Sequence, residues 1–419
     1  MPHHVRDRDG DHHHHHHHHS HNSHHRRHSH SPQPRRTPEF RFAIEMGLLV
    51  RSRVLDHTTI LGLQKELSSR LTLAGVRNHH IAGGDSSSSS SNHEDFKNWT
   101  ISSSLAISSK PKEHKFGLRL ISPFMQFSWF AIWKAQLRTV LSVLNTDFET
   151  TITHQCSTHI HLVPTKGYWR LSHAISLAQS AVYYESVIDR LVPLYRRKTI
   201  WAKSNRWNKY LGKYPMSDAL DKITSQTTFE GLAARMNWCG RDSPTGNSLR
   251  KQGDFQHEGF RWNFLAAGAT QGYGAIEFRQ MGGITESEDL ISWITMVVLF
   301  AQVSVTKGEE IVRPSKAPSL DRLAEAVYGQ AERSKVPKGR VGLIREGIFG
   351  MADLPNSSTE GEGAGPDPKV ITIDEDQRLR WVDKEGGGVG NTVARAKYWS
   401  LLEDLSPPED GQIFVEKHW

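Results

Sequence analysis

The chain has 419 residues with 26 histidines, two cysteines and a net charge of +7. At roughly 150 residues per domain this length allows two or three domains, and 37% hydrophobic residues exclude a chain that is disordered throughout. Residues 1–38 hold fifteen histidines, six arginines and three aspartates, so the other residues carry only +4, a poor electrostatic footprint for nucleic acid.

The start of the chain, with an unbroken run from His12 to His19, lacks the apolar surface needed to offset the entropy of ordering it. A disordered His-rich tail over 1–38 is expected. Cys156 and Cys239 exclude a disulfide framework and suit reduced thiols in an intracellular protein. No apolar stretch follows the first basic residues, which argues against a secretory signal and for a cytoplasmic location.

In chain order, Phe40, Phe42, Ile44 and Met46 alternate with Arg41, Ala43, Glu45 and Gly47, the period of a half-buried strand. A helix is predicted around Leu55–Leu73, then a mobile Ser-rich loop over Gly83–Ser91. Trp99–Ile107 and Phe116–Ile121 read as strands, Phe127–Leu144 as a helix, and Gln155–Val163 as a strand ended by Pro164. Leu171–Val192 is predicted as one helix stopped by Pro193. Phe260–Met281 suggests a hairpin with Gly268, Gly272 and Gly274 near its turn.

Ser287–Val305 reads as an apolar helix opened by acids that suit a helix N-terminus. Its uncharged part, Leu290–Thr306, is slightly short for a membrane span and contains polar residues, so a buried helix is expected. Beyond it, Asn356–Pro368 and Gly386–Gly390 read as linkers. A strand pair around Val370–Val382 and a helix around Thr392–Leu405 are possible additions. The domain expectation is a folded 39–330 and a partly disordered 331–419. Elements are interspersed without a βαβ rhythm or a Gly-rich phosphate loop, so the class is α+β, with a mainly antiparallel sheet and packed helices.

The informative residues are charged groups on strand faces. His159 and His161, two apart on one strand, point the same way, as a metal or phosphate site would need. The bland alternative is a pair of surface or hydrogen-bonded imidazoles. Glu277 and Arg279 share a face opposite Ile276 and Phe278, and they could equally be a solvated ion pair. Glu45 lies among apolar neighbours. Glu185 falls on the apolar stripe of its helix, where a carboxylate is costly without a cation, a metal or several donors. Arg196, Arg197 and Arg206 follow that helix; they either supply its partner or make a basic turn. Carboxylates, imidazoles and arginines together suit Mg²⁺ and phosphate.

These residues carry a resemblance. Gly274–Ile294 resembles the Glu-Phe-Arg-Gln strand and following helix of the amidoligase family, common in fungi and related to glutamine synthetase-like carboxylate–amine ligases. Cys156–Val163 is similar to that family's Cys-x-x-His-x-His strand. Tyr184-Glu185 with Leu191–Lys198 and Ser204–Arg206 is similar to its helix with glutamate and its Pro-x-x-Arg segment. Phe42–Met46 resembles its opening strand. The matches run in family order from Phe40 to Val305.

The resemblance implies a glutamine synthetase-like fold and an enzyme that uses ATP and Mg²⁺ to join a carboxylate to an amine through an acyl phosphate. Its substrates would be small molecules or peptides, with no nucleic-acid or membrane partner. Glu45 and Glu277 would be metal ligands. His159, His161 and Asn263 would line the nucleotide site, with Glu185, Arg197 and Arg279 as catalytic groups. The chain departs from the family where acids are expected, at Arg119 and Ser103. The competing reading is therefore an inactive member that binds a ligand or partner. A third, remote reading makes the His tract a transition-metal buffer. Cys156 reads as packing rather than as a nucleophile.

Overall fold

The computed structural model describes residues 37–81, 97–197, 199–208, 210–239, 255–256, 259–268, 274–349, 370–373, 379–382 and 414–417. The His-rich start, the Ser-rich loop, both predicted linkers and the Thr392–Leu405 helix lie outside them.

The alternation read from Phe40 onward produces β1 (Phe40–Ser52), the spine of a largely antiparallel sheet. One edge of β1 pairs with β4 (Phe116–Ile121) and β5 (Met125–Gln126); the other pairs with β6 (Phe148–Thr151) and β7 (Ser157–Pro164). The sheet extends past β4 through β3 (Trp99–Ser103) to β2 (Asn78–His80), and past β7 through β11 (Ile276–Gly282) to β10 (Trp262–Asn263). Only β2 and β3 among these run parallel. The predicted hairpin is thus present with a short first strand. Two smaller sheets stand apart in the strand pairing: β8 (Trp238–Cys239) with β9 (Phe255–Gln256), and β12 (Val370–Ile373) with β13 (Leu379–Val382) and β14 (Phe414–Lys417). The predicted strand pair around Val370–Val382 is β12–β13.

The even-numbered residues of β1 form the core face, and helices cover it. Phe42 meets Trp133 of α2 (Phe130–Asp147) edge to face, and Phe40 stacks on Trp169. Phe278 stacks on Trp293, and Trp262 packs on Phe300, both in α8 (Ser287–Ile311). Such aromatic pairs add about 0.5–1.5 kcal/mol beyond their buried area. Every residue of α8 from Leu290 to Ser304 is buried. The helix is long and apolar enough to cross a membrane, but it packs against α2, α3 (Leu171–Tyr183), α9 (Leu320–Arg333), α10 (Lys338–Ile344) and β7. Its apolar surface is spent inside the protein, as the buried-helix reading expected.

Two predicted elements differ. The first helix, α1 (Ile60–Leu73), begins later than Leu55 because Thr59 caps it, its hydroxyl accepting from the Gly62 N–H. The helix predicted over Leu171–Val192 is two helices, α3 and α4 (Glu185–Asp189), divided at Tyr184. Both tyrosines at the break are anchored, Tyr183 Oη donating to the Lys316 carbonyl at 2.8 Å and Tyr184 Oη to the Ile311 carbonyl at 3.0 Å. The short α5 (Leu194–Arg197) follows, then α6 (Met216–Thr224) and α7 (Phe229–Met236). Packing continues to Phe349, past the expected boundary at 330, since Ile344, Ile348 and Phe349 are buried in the same core.

Candidate active site

Pairing register gathers the charged residues on the sheet face opposite the helices. Glu45 of β1 stands across from His159 of β7, His161 across from Glu277 of β11, and Glu277 across from Asn263 of β10. The β11–β7 register slips after Phe278. Phe278 faces Ile160 and Met281 faces Thr158, so Arg279 and Gln280 together oppose His159. This bulge sets two polar residues opposite one, a device common near sites.

Glu277 is tightly held. Its Oε2 accepts from Asn263 Nδ2 at 3.0 Å, and its Oε1 accepts from Arg279 Nη1 at 2.8 Å and lies 3.0 Å from His159 Nδ1. Glu45 is looser and its side chain is 21% exposed: Oε1 is 3.8 Å from His159 Nδ1 and 3.9 Å from Arg119 Nη1, and Oε2 is 3.7 Å from His161 Nε2. His161 Nε2 is also 3.8 Å from Glu277 Oε1. The mouth of the site lies at Glu45 and Arg119, the latter 34% exposed.

The electrostatics follow from this geometry. Burial works to raise Glu45, but His161, His159 and Arg119 together outweigh it and hold the carboxyl at about 2. Burial likewise opposes ionisation of Glu277, yet Arg279 and the two imidazoles keep it well below the usual range. The histidines divide. Burial and Arg279 push His159 down. Burial also works against a charged His161, but Glu277 and Glu45 overcome it and raise that group. Opposite shifts on neighbouring groups are how a site separates a neutral imidazole from a charged one.

The edges of the site depend on two glycines. A Cβ on Gly47 would lie 3.2 Å from Ile107 Cδ1, and one on Gly117 would lie 2.5 Å from the Ile107 carbonyl oxygen. The β3–β4 connection can therefore lie this close only because residue 117 is a glycine, while at Gly47 the Ile107 side chain would have to give way slightly. Ile107, Leu49 and Cys156 form a small apolar cluster there, which bears out Cys156 as packing.

Arg119 stands opposite Gly47 and Ser102, and its Nε donates to Ser102 Oγ at 3.1 Å. Ser103, where the resemblance expects an acid, pairs with Leu118 instead, so Ser102 is the serine beside Arg119. Arg119 is turned towards Glu45, placing a fixed cation where the resemblance expects an acid.

That donor set does not fit a protein-held Mg²⁺, which takes oxygen ligands in near-octahedral geometry. Both oxygens of Glu277 are committed to Asn263, Arg279 and His159, and Glu45 has a guanidinium beside it. Among the described residues no group of three or more His, Cys, Asp or Glu has the geometry to hold a metal. Beside Glu45 and Glu277, the expected metal-ligand pair, the countercharge in this arrangement comes from Arg119 and Arg279. The same cations suit an oxyanion, to which guanidinium groups donate in matched pairs.

Glu185 and Arg197 lie outside this cluster. Glu185, at the start of α4, accepts from Ser204 Oγ, from Arg261 Nη1 at 2.6 Å and from the Arg206 backbone N–H at 3.1 Å. Arg261 also reaches Asp189 Oδ1 at 3.0 Å, and Gln280 from the β11 bulge donates to the same oxygen. Arg261 is thus a cation bonded to both acids, whereas the guanidinium groups of the three arginines after the helix donate to carbonyls. Arg196 donates to the Arg279 and Gln280 carbonyls, Arg197 to the Val192 and Arg190 carbonyls, and the Arg206 guanidinium to those of Leu211 and Tyr214. A signal for Arg261 was present: Phe260 and Trp262 alternate with Arg261 and Asn263, so Arg261 shares Asn263's side of the strand.

One sheet face thus gathers two carboxylates, two imidazoles and two guanidinium groups. The chain belongs to the family described as "putative amidoligase enzyme", which matches residues 38–301 and so takes in every residue named in this site. No curated protein is similar enough to count as a match. Among solved structures the chain is similar to a bifunctional glutathione synthetase from Pasteurella multocida, at 11% identity and a TM-score of 0.35, over 76% of this chain. It spans 47% of that structure's length.

Proposed function

We propose that the protein is an ATP-dependent carboxylate–amine ligase with a glutamine synthetase-like fold, working in the cytoplasm on small-molecule or peptide substrates. The observation that carries this reading is the convergence of Glu45, Glu277, His159, His161 and Arg279 on one sheet face of a chain in the amidoligase family. In the reaction a substrate carboxylate oxygen attacks the γ-phosphorus of ATP and ADP leaves. The amine nitrogen then attacks the acyl carbon, phosphate leaves, and the nitrogen loses a proton. Arg279 and Arg119, with His161 whose carboxylate neighbours favour its charged form, offset the charge of the phosphates and of the leaving phosphate, the kind of fixed electrostatic stabilisation that dominates such transfers. Neutral His159, backed by Glu277, is the group suited to take the amine's proton. Mg²⁺ in this reading arrives on the nucleotide's own phosphates rather than in a carboxylate cage.

The test is ADP release from the full chain, with MgATP and a panel of amino acids and dicarboxylates. Turnover that Glu277→Gln abolishes, in a variant that still folds, is expected. Turnover undiminished in that variant would remove the site from the reaction. A second reading, ligand binding without chemistry, is favoured by Arg119 beside Glu45. ATP-dependent stabilisation with no ADP release across the panel would select it.

A further inference from the structure

We propose that the cleft between the C-terminal part of α8 and α9 binds a small organic dianion, such as a phosphate ester or a dicarboxylate. The cleft has a volume of about 290 Å³ and is walled on its apolar side by Val303, Ile311 and the Tyr184 ring. That is close to the lower bound for small-ligand pockets.

Its charges do not balance. Lys307, at a kink in α8, is neutralised by Glu310 at 2.6 Å. Arg313, Arg322 and Arg333 then face Glu325 as the remaining acid of the lining. Arg333 is held by a neutral partner, its Nε and Nη2 donating to Gln330 Oε1 at 3.0 and 2.8 Å, so its orientation is fixed while its charge is left uncancelled. Arg322 Nη1 is buried and has no hydrogen-bond partner among the described residues. A buried donor without an acceptor is costly and uncommon. An oxyanion in the cleft would supply that acceptor and offset the excess of two positive charges.

Apart from Tyr184, the residues lining the cleft lie beyond residue 301, where the family match ends. The site is therefore separate from the sheet face, and it does not depend on the ligase reading.

The experiment follows the thermal midpoint of the full chain against inorganic phosphate and malonate, with chloride at matched ionic strength as the reference. A saturable rise that chloride does not reproduce is expected. Arg322→Gln and Arg313→Gln should each weaken it by roughly tenfold or more, the value of one charge-assisted hydrogen bond. Arg313 is exposed, so its variant decides the matter if Arg322→Gln fails to fold. No saturable rise would overturn the proposal. So would a rise that survives Arg313→Gln and Arg322→Gln but vanishes in Arg279→Met, since the anion would then sit on the sheet face.

Discussion

Two charged clusters lie close together in this protein and are built on opposite terms. Around Glu185 and Asp189, Arg261 is 2% exposed and its ion pairs are 2.6 and 3.0 Å long. Around Glu45, Arg119 and the two imidazoles stand at 3.7–3.9 Å and both Glu45 and Arg119 reach the surface. The first cluster is closed: its cation is consumed in tying α4 to β10 and, through Gln280, to the β11 bulge. The second is open at Glu45 and Arg119, while Glu277 and Arg279 behind them are in direct contact. A closed network holds a strand edge in place; an open one is where a ligand can exchange partners.

The largest effect should come from breaking the closed cluster. Arg261→Met removes the cation bonded to buried Glu185 and Asp189, and breaking a buried pair from one side typically costs about 3–5 kcal/mol. Urea unfolding should show that loss, with Asn263 and Glu277 displaced as β10 loosens. A stability within about 1 kcal/mol of the parent would mean the network is not closed as described.

Glu277→Gln is the next largest. It removes the anion shared by Asn263, Arg279 and His159, at a cost of about 1–3 kcal/mol for the donors left unsatisfied. The fold should survive while turnover is lost. Equal losses in this variant and in Arg261→Met would erase the distinction between the clusters.

Acidity separates them further. Glu45 sits at about 2 against an ordinary 4.5, so between those values the native chain binds fewer protons than the unfolded one. Its contribution to stability is complete above pH 4.5 and is lost as the pH falls towards 2. The stability gap between the parent and Glu45→Gln should therefore close as the pH falls from 4.5 towards 2. The imidazoles have opposite signs. Raised His161 contributes below pH 6.5 and loses that contribution as the pH rises through its folded value. Lowered His159 imposes a cost that appears as the pH falls below 6.5. NMR titration of the two rings should give midpoints on either side of 6.5. Midpoints on the same side would contradict the division of roles.

Much of the open cluster was legible in the sequence, because a period of two fixes which residues of one strand share a face. Glu45, His159 with His161, and Glu277 with Arg279 were all visible that way. What period two cannot supply is pairing between strands. Ser102 rather than Ser103 faces the site because of its register with Arg119. The bulge that presents Gln280 arises from a slip against β7, with no local mark in β11. The closed cluster was less legible. The helical pattern marks Glu185 as a buried acid in need of donors, but Arg261 lies 76 residues away, just before a strand of two residues. Arginines nearer in the chain offered a false choice. The break at Tyr184 was hidden as well, since no Pro or Gly marks it; it is fixed by hydroxyl bonds to carbonyls beyond position 310.

The smallest expected effect concerns Arg197, which the resemblance places at a phosphate or substrate carboxylate. Its guanidinium instead donates to the Val192 carbonyl at 2.8 Å and to the Arg190 carbonyl at 3.3 Å, closing the turn after α4. Arg197→Gln should cost about 0.5–1.5 kcal/mol, the net value of a hydrogen bond. Arg119→Gln tests the opposite case, because Arg119 helps hold the Glu45 carboxyl down and its loss should let that group rise. If Arg197 only supports the turn, its variant should leave the Glu45 titration where it is and weaken ATP-dependent stabilisation no more than its own loss of fold explains. A loss of nucleotide response out of proportion to the stability change would move Arg197 into the open cluster. The boundary between the two regions would then run through α5 rather than beside it.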